Sequence, residues 1–156
     1  MKIRLLAVGR KMPRWIQSGF DEYARRLPAE SRLELVEMPP GKRSGTADAG
    51  MARAAEAEQI QRRLGRNDRL IVLDEQGSRI DTRCLAEWYG DWLMQGRDVA
   101  LVIGGADGLA PALLEAAESS WSLSPLTLPH GLVRVVVAEQ LYRAWSLRSG
   151  HPYHRD

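Results

Sequence analysis

Apolar residues follow two rhythms along this chain. Short, nearly continuous apolar runs recur at Ile3–Val8, Leu33–Val36, Leu70–Leu73 and Val99–Ile103. Each is Leu-rich or β-branched and bounded by polar residues, which predicts buried parallel strands. Between the runs, apolar residues return every three or four positions, the spacing that lines up one face of a helix. The first such stretch starts at Pro13 and continues through Trp15, Ile16, Phe20, Tyr23, Ala24 and Leu27. Proline suits that start, because the first helical N–H has no partner to lose. The second runs roughly from Ala47 to Leu64 in Ala, Glu, Gln and Arg, all strong helix formers, and Gly65 ends it. The third follows Asp81, an N-cap residue by type, sets Leu85, Trp88, Trp92 and Leu93 on one side, and stops at Gly96. Strands alternating with helices predict an α/β fold, a mostly parallel sheet flanked by helices.

The last helix is expected from about Leu132 to Leu147, with Val133, Val136 or Val137, Leu141, Tyr142 and Trp145 at helical spacing. The run Val135-Val136-Val137-Ala138 makes it apolar on more than one face, so it must be covered on more than one face. A partner subunit and the rest of its own domain are equally able to do this. Pro39-Pro40-Gly41-Lys42-Arg43-Ser44-Gly45 reads as a flexible loop, and nothing marks a domain boundary. The 156 residues favour one domain, residues 1–156, with a core that needs no staples.

Composition narrows the picture only a little. At 44% apolar and 27% charged the chain is ordinary for a globular protein. The lone Cys84 has no partner within the chain, and no Cys/His cluster has metal-ligand spacing, so no metal is expected. Leu5-Leu6-Ala7-Val8, broken by Gly9-Arg10-Lys11, is too short for a signal peptide or a membrane span, so residence in the cytoplasm is expected. Net charge is only +2, but residues 1–66 carry 14 Lys and Arg against 8 Asp and Glu, and residues 67–156 carry 8 against 12. A basic half is compatible with an anionic substrate, though uneven scatter on solvated helices gives the same count.

Candidate chemistry concentrates at strand ends and in the last third. Gly104-Gly105-Ala106-Asp107-Gly108 follows a strand, where ligands of open α/β sheets gather and bare backbone can be approached. It is neither a dinucleotide fingerprint nor a P-loop. Leu73-Asp74-Glu75-Gln76-Gly77 sits at another strand end, with carboxylates able to accept from a ribose or an amino group. In Leu123-Ser124-Pro125-Leu126-Thr127-Leu128, the prolines at 125 and 129 block regular pairing, leaving backbone groups for an adenine edge and leucines for its faces. Taken singly, each is also an ordinary turn or edge strand. The histidines His130, His151 and His154 have no partner at useful spacing. Glu139 and Arg143 stand four apart on the last helix and form an expected surface ion pair; with Arg134 and Gln140 they are alternatively the wall of a substrate site.

These same segments carry a resemblance. Leu101 to Leu109, Trp121-Ser122-Leu123-Ser124, Thr127-Leu128-Pro129-His130, Leu132-Val133-Arg134-Val135, Ala138-Glu139-Gln140-Leu141-Tyr142-Arg143-Ala144-Trp145 and Gly150-His151-Pro152-Tyr153-His154-Arg155 closely resemble the bacterial methyltransferases of 23S ribosomal RNA that modify N3 of a pseudouridine, within the SPOUT class. Val8-Gly9, Lys11, Phe20 with Tyr23, and Gly41-Lys42-Arg43 fit as well, while Ser78 stands where that pattern favours lysine. The resemblance runs nearly end to end and is loose between residues 47 and 98 apart from Leu73-Asp74. It implies a C-terminal deep trefoil knot, a homodimer, and S-adenosylmethionine held by three loops: Leu73; Gly104 and Gly105; and Leu123, Ser124, Pro125, Leu126, Thr127 and Leu128. It implies 23S rRNA, on the assembled ribosome, as substrate.

The implied reaction moves a sulfonium methyl to a ring nitrogen whose proton must leave, so a base or anion-stabilising donors are expected among Tyr153, His154, Arg143 and Glu139. The tail from Tyr153 to Arg155 is expected to handle substrate and not to support the fold. Two other classes compete. One is a non-catalytic ribosome-binding protein that keeps the fold. The other is a nucleotide hydrolase or Rossmann-type oxidoreductase, which lacks its P-loop or acidic ribose ligand here.

Overall fold

A computed structural model describes residues 1–42 and 48–155. The strands are β1 (Ile3–Val8), β2 (Leu33–Met38), β3 (Arg69–Arg79), β4 (Val99–Ile103) and β5 (Ser119–Ser122). The helices are α1 (Arg14–Ala24), α2 (Ala49–Arg63), α3 (Thr82–Gln95), α4 (Pro111–Ala116) and α5 (His130–Ser149). The strands form one sheet in the order β2-β1-β4-β3-β5, and every pairing is parallel. Ala47, the expected start of the second helix, and Arg43 to Gly45 of the expected loop lie outside the described residues.

Alternation along the central strands divides the core in two. Ile3, Leu5, Ala7, Ile71, Val99, Leu101 and Ile103 face α1, α3 and α5, meeting Phe20, Leu85, Tyr89, Trp92, Val137 and Leu141. Leu6, Val8, Leu70, Val72, Ala100 and Val102 face α2 and α4, meeting Ala57, Ile60 and Leu113. Burial on both faces is why these strands read as continuous apolar runs. Asp81 caps α3 by accepting the Cys84 N–H at 2.8 Å, and Gly96 closes it in left-handed backbone at φ 67°.

Three elements differ from the expectation. β3 does not stop at Leu73 but runs to Arg79, and its pairing with β5 shifts register between Leu73 and Ser78. The extra residues form a bulge, which turns Asp74 to Gln76 away from the ladder. β5 and α4 carry too little apolar periodicity to be read, although Pro111 does begin a helix. β5 is held by Trp121, whose ring stacks on Trp88 at 4.9 Å and on Trp92 at 5.8 Å. Such contacts add about 0.5–1.5 kcal/mol each beyond burial.

The last helix starts two residues earlier than expected, at His130, and lies against both α1 and α3. Its own domain therefore covers Val137, Ala138, Leu141, Tyr142 and Ala144, while Leu132, Val133, Val135 and Val136 stay half-buried. Arg134 is 1% exposed on this helix: its guanidinium meets Glu37 Oε2 at 2.6 Å and donates to the Gly9 carbonyl at 2.9 Å. That pair locks the start of α5 to the ends of β1 and β2.

Candidate active site

The C-terminal ends of β3 and β4 lie side by side, so the segments that follow them converge. Between them and the chain after β5 is a cavity of about 320 Å³. It is lined by Leu73, Asp74, Glu75 and Gln76 of the bulge, by Gly104, Gly105 and Ala106, and by Leu123, Ser124, Leu126 and Leu128. His130 and Val133 at the start of α5 close one side. Pro125 and Thr127 do not line this cavity; they line a smaller adjoining one of about 250 Å³ with Gln76 and Arg79. Leu73, Gly104, Gly105, Leu123, Ser124, Leu126 and Leu128 are thus brought together, and Pro125 and Thr127 stand one step outside.

Local chemistry explains the shape. Asp74 Oδ1 accepts the Gln76 N–H at 2.8 Å, a turn built by a short carboxylate. A Cβ on Gly77 would lie 2.6 Å from the Trp121 backbone, so only glycine lets the bulge press against β5. A Cβ on Gly104 would lie 2.8 Å from the backbone of Gly108, so the turn after β4 also closes only on glycine. Ser124 Oγ accepts the Leu126 N–H at 2.9 Å, while Ser122 Oγ donates to the Ser124 carbonyl at 3.1 Å. Glu56, 2% exposed, was not singled out in the sequence; it accepts the Gly41 N–H at 2.9 Å and stands directly behind Gly105.

The second group lies further along α5. Arg143 Nε donates to Glu139 Oε1 at 2.9 Å, and a second guanidinium nitrogen bonds the same oxygen. The Tyr153 hydroxyl donates to that oxygen too, at 3.0 Å, and its ring lies 4.8 Å from the Arg143 guanidinium carbon. His154 Nδ1 is 3.3 Å from Arg143 Nη1. Gln140 Nε2 donates to Glu139 Oε2 at 2.7 Å, and Thr82 Oγ1 donates to the Gln140 amide oxygen at 2.8 Å. The four expected residues therefore form one cluster, an ion pair with a phenol and an imidazole attached. Burial pushes the Tyr153 phenol well above its ordinary value, with Tyr23 and Glu139 adding to it. The Glu139 carboxylate raises Arg143.

The tail is not separate from the fold, contrary to expectation. Tyr153 packs 4.7 Å from Tyr142 and 6.5 Å from Tyr23, and His151 lies 5.4 Å from Trp145. The signal was present in the aromatic spacing Tyr142, Trp145, His151, Tyr153, which requires a chain reversal at Gly150 (φ 69°) to be read as one cluster. The cluster and the cavity share α5 but not a place on it. Glu139 and Arg143 follow Val133 by about 9 and 15 Å along the helix axis at 1.5 Å per residue.

Among the described residues no group of three or more His, Cys, Asp or Glu could hold a metal ion. None of the described helices is long and apolar enough to cross a membrane.

Residues 1–154 match the family model described as "Predicted SPOUT methyltransferase". The proteins named Ribosomal RNA large subunit methyltransferase H of Burkholderia mallei (strain SAVP1) and Burkholderia pseudomallei (strain K96243) are each 56% identical over 155 residues, covering 99% of both chains. Matched almost end to end on both counts, the chain belongs to the SPOUT methyltransferase family.

Proposed function

We propose that this chain is a single SPOUT domain that methylates N3 of a pseudouridine in 23S rRNA, on the assembled ribosome, with S-adenosylmethionine as donor. That it is a methyltransferase follows from its family, and its end-to-end relatives are named for ribosomal RNA. The observation that carries the cofactor reading is the convergence of three separate loops on one cavity. Its size suits a small ligand. Cavity-lining backbone at the buried Gly104 and Gly105, leucines at 73, 123, 126 and 128, and the acids Asp74 and Glu75 match an adenine, its faces and a cationic sulfonium and amino group. The buried His130 Nδ1 has no hydrogen-bond partner among the described residues and stands at the cavity wall, a polar atom that a ligand satisfies.

When bound there, the cofactor supplies an electrophilic methyl. The residues of this chain supply position and proton handling. The Glu139–Arg143 pair fixes Tyr153 and His154 against one another. The raised phenol stays protonated at neutral pH and is a donor, not a base. Arg143 has donors to stabilise negative charge on the oxygens flanking N3, the Tyr153 hydroxyl joins it on turning from Glu139, and His154 takes the N3 proton on its imidazole once Nδ1 parts from Arg143.

Because cluster and cavity sit at different heights on α5, we propose a homodimer in which the tail of one copy completes the cavity of the other. The half-buried Leu132, Val133, Val135 and Val136 support this contact. SPOUT membership supports a knotted C-terminal segment in each copy. A ribosomal substrate supports residence in the cytoplasm. The test is mass spectrometry of 23S rRNA from a strain lacking this protein. N3-methylation of pseudouridine is expected to vanish and to return when the protein is restored; persistence of the methyl group in the deletion strain refutes the proposal.

A further inference from the structure

The first twenty residues contain no acid: Lys2, Arg4, Arg10, Lys11 and Arg14 precede Asp21, the first carboxylate of the chain. Arg4 is held inward by Asp68. Arg10, Lys11 and Arg14 are exposed, and among the described residues none of the three pairs with a carboxylate. Beside them Trp15 is 61% exposed, which is unusual for an indole. Arg10 and Lys11 occupy the turn between β1 and α1, and Arg14 and Trp15 begin α1, at the same edge of the sheet as the Gly104 turn, since β1 pairs directly with β4.

The turn is fixed in place. The Gly9 N–H donates to the Met38 carbonyl at 2.8 Å, and the Gly9 carbonyl accepts from buried Arg134 at 2.9 Å. Lys11 is held at φ 59°, left-handed backbone that disfavours a residue with a side chain. Met12 packs on Gly131, the neighbour of His130 in the cavity wall: a Cβ on Gly131 would sit 3.3 Å from its sulfur. Three unpaired cations and a bare indole are therefore carried on a fixed segment that packs, through Met12, on the start of the helix that walls the cavity. Their charge complements phosphate, and an exposed indole offers a face to an unstacked base.

We infer that the Arg10–Trp15 turn is an RNA-docking surface, in which Arg10, Lys11 and Arg14 hold phosphates next to the target base and Trp15 stacks on a neighbouring nucleotide. This rests on the reading of ribosomal RNA as substrate. A second copy of the chain is the other occupant that an exposed tryptophan suits, and the test separates the two.

The experiment compares the full-length protein with an Arg10→Gln/Lys11→Gln/Arg14→Gln variant and with Trp15→Ala. Ribosome binding is read by co-sedimentation across a salt series, and methyl transfer by KM and kcat for ribosomes. Cofactor affinity, read by calorimetry, reports folding and is expected to be unchanged in both variants. In the triple variant, the slope of log affinity against log salt is expected to fall by about 2 to 3, roughly one per lost phosphate contact. KM for ribosomes is expected to rise about tenfold or more while kcat at saturation holds. Trp15→Ala is expected to weaken binding about tenfold with an unchanged salt slope. A wild-type salt slope and KM in the triple variant overturn the proposal. So does a Trp15→Ala protein whose sedimentation coefficient drops, because the indole then belongs to a contact between copies. Absence of methyl transfer by the unmodified protein would instead defeat the functional reading, and co-sedimentation still decides the docking claim.

Discussion

Replacing Gly104 by alanine is a direct perturbation of the cavity. The added Cβ would lie 2.8 Å from the carbon and oxygen of Gly108 and 2.9 Å from Leu109 Cγ. Ordinary carbon contacts begin near 3.5 Å, so the turn must open by roughly 0.7 Å. The two nearest of these atoms are backbone and cannot rotate aside. Overpacking of this kind costs about 1–3 kcal/mol of stability, which a domain of ordinary stability survives. The ligand suffers in a different way. In the proposed binding mode the turn offers the cofactor backbone N–H and C=O groups, each worth about 0.5–1.5 kcal/mol net. Misplacing two or three of them loses about 1–4 kcal/mol, or roughly 10- to 1000-fold in Kd. Calorimetric titration with S-adenosylmethionine measures this, and Gly96→Ala is the control. Gly96 also has left-handed backbone, at φ 67°, but a Cβ there meets nothing within 4 Å and lies away from the cavity. Its affinity is expected to match the wild type. A Kd for Gly104→Ala within about threefold of wild type, less than 1 kcal/mol, would refute the close-approach argument.

Other outcomes follow from the same geometry. Arg134→Met is expected to cost about 3 kcal/mol in urea unfolding, since it strands the Gly9 carbonyl and half-buried Glu37; a loss under about 1 kcal/mol would show the pair to be dispensable. Tyr153 and Tyr89 both have phenols raised above their ordinary value of 10.0, chiefly by burial. The folded state then holds protons that the unfolded chain releases, so the contribution of these two groups to stability is constant below about pH 10 and is lost as pH rises from there through the raised values. Tyr153→Phe is expected to flatten part of that alkaline fall in melting temperature, and an unaltered profile would contradict the burial of this phenol. Deleting residues 153–156 is expected to lower the melting temperature measurably, because Tyr153 packs on Tyr142 and Tyr23, and to lower methyl transfer to ribosomes by orders of magnitude with cofactor affinity kept. Full activity in that truncation would remove the tail from the site. Light scattering at micromolar concentration is expected to give twice the 17.5 kDa chain mass, and a species at 17.5 kDa alone would exclude the homodimer.

The strands β1, β2 and β4 and the helices α1, α3 and α5 were legible because burial on both sheet faces, or on a helix face, leaves a plain period, and α2 through its run of strong helix formers. β5 was not, because Ser119-Ser120-Trp121-Ser122 pairs on one side only and contributes one large apolar side chain. The extension of β3 was hidden by Asp74, Glu75 and Gln76, which read as a turn and are a bulge. Sequence spacing also left the covering of the last helix open. Packing against α1 and α3 accounts for its second apolar face within the chain, which leaves the half-buried Leu132, Val133, Val135 and Val136 as the apolar surface for a second copy. The cofactor loops were individually ambiguous, and what joins them is strand order. β4 sits beside β3 and β3 beside β5, so segments thirty and fifty residues apart open into one cavity. The burial of Arg134 and Glu56 was not legible, because a charged residue on a helix normally faces water.

The central claim is tested most directly by incubating the purified protein with ribosomes and S-adenosylmethionine labelled in its methyl group, then digesting the RNA to nucleosides. The account predicts label in a single nucleoside of 23S rRNA, N3-methylpseudouridine, dependent on His154 and on Gly104. Label at a different base or atom, or cofactor binding with no transfer to ribosomes, would contradict it.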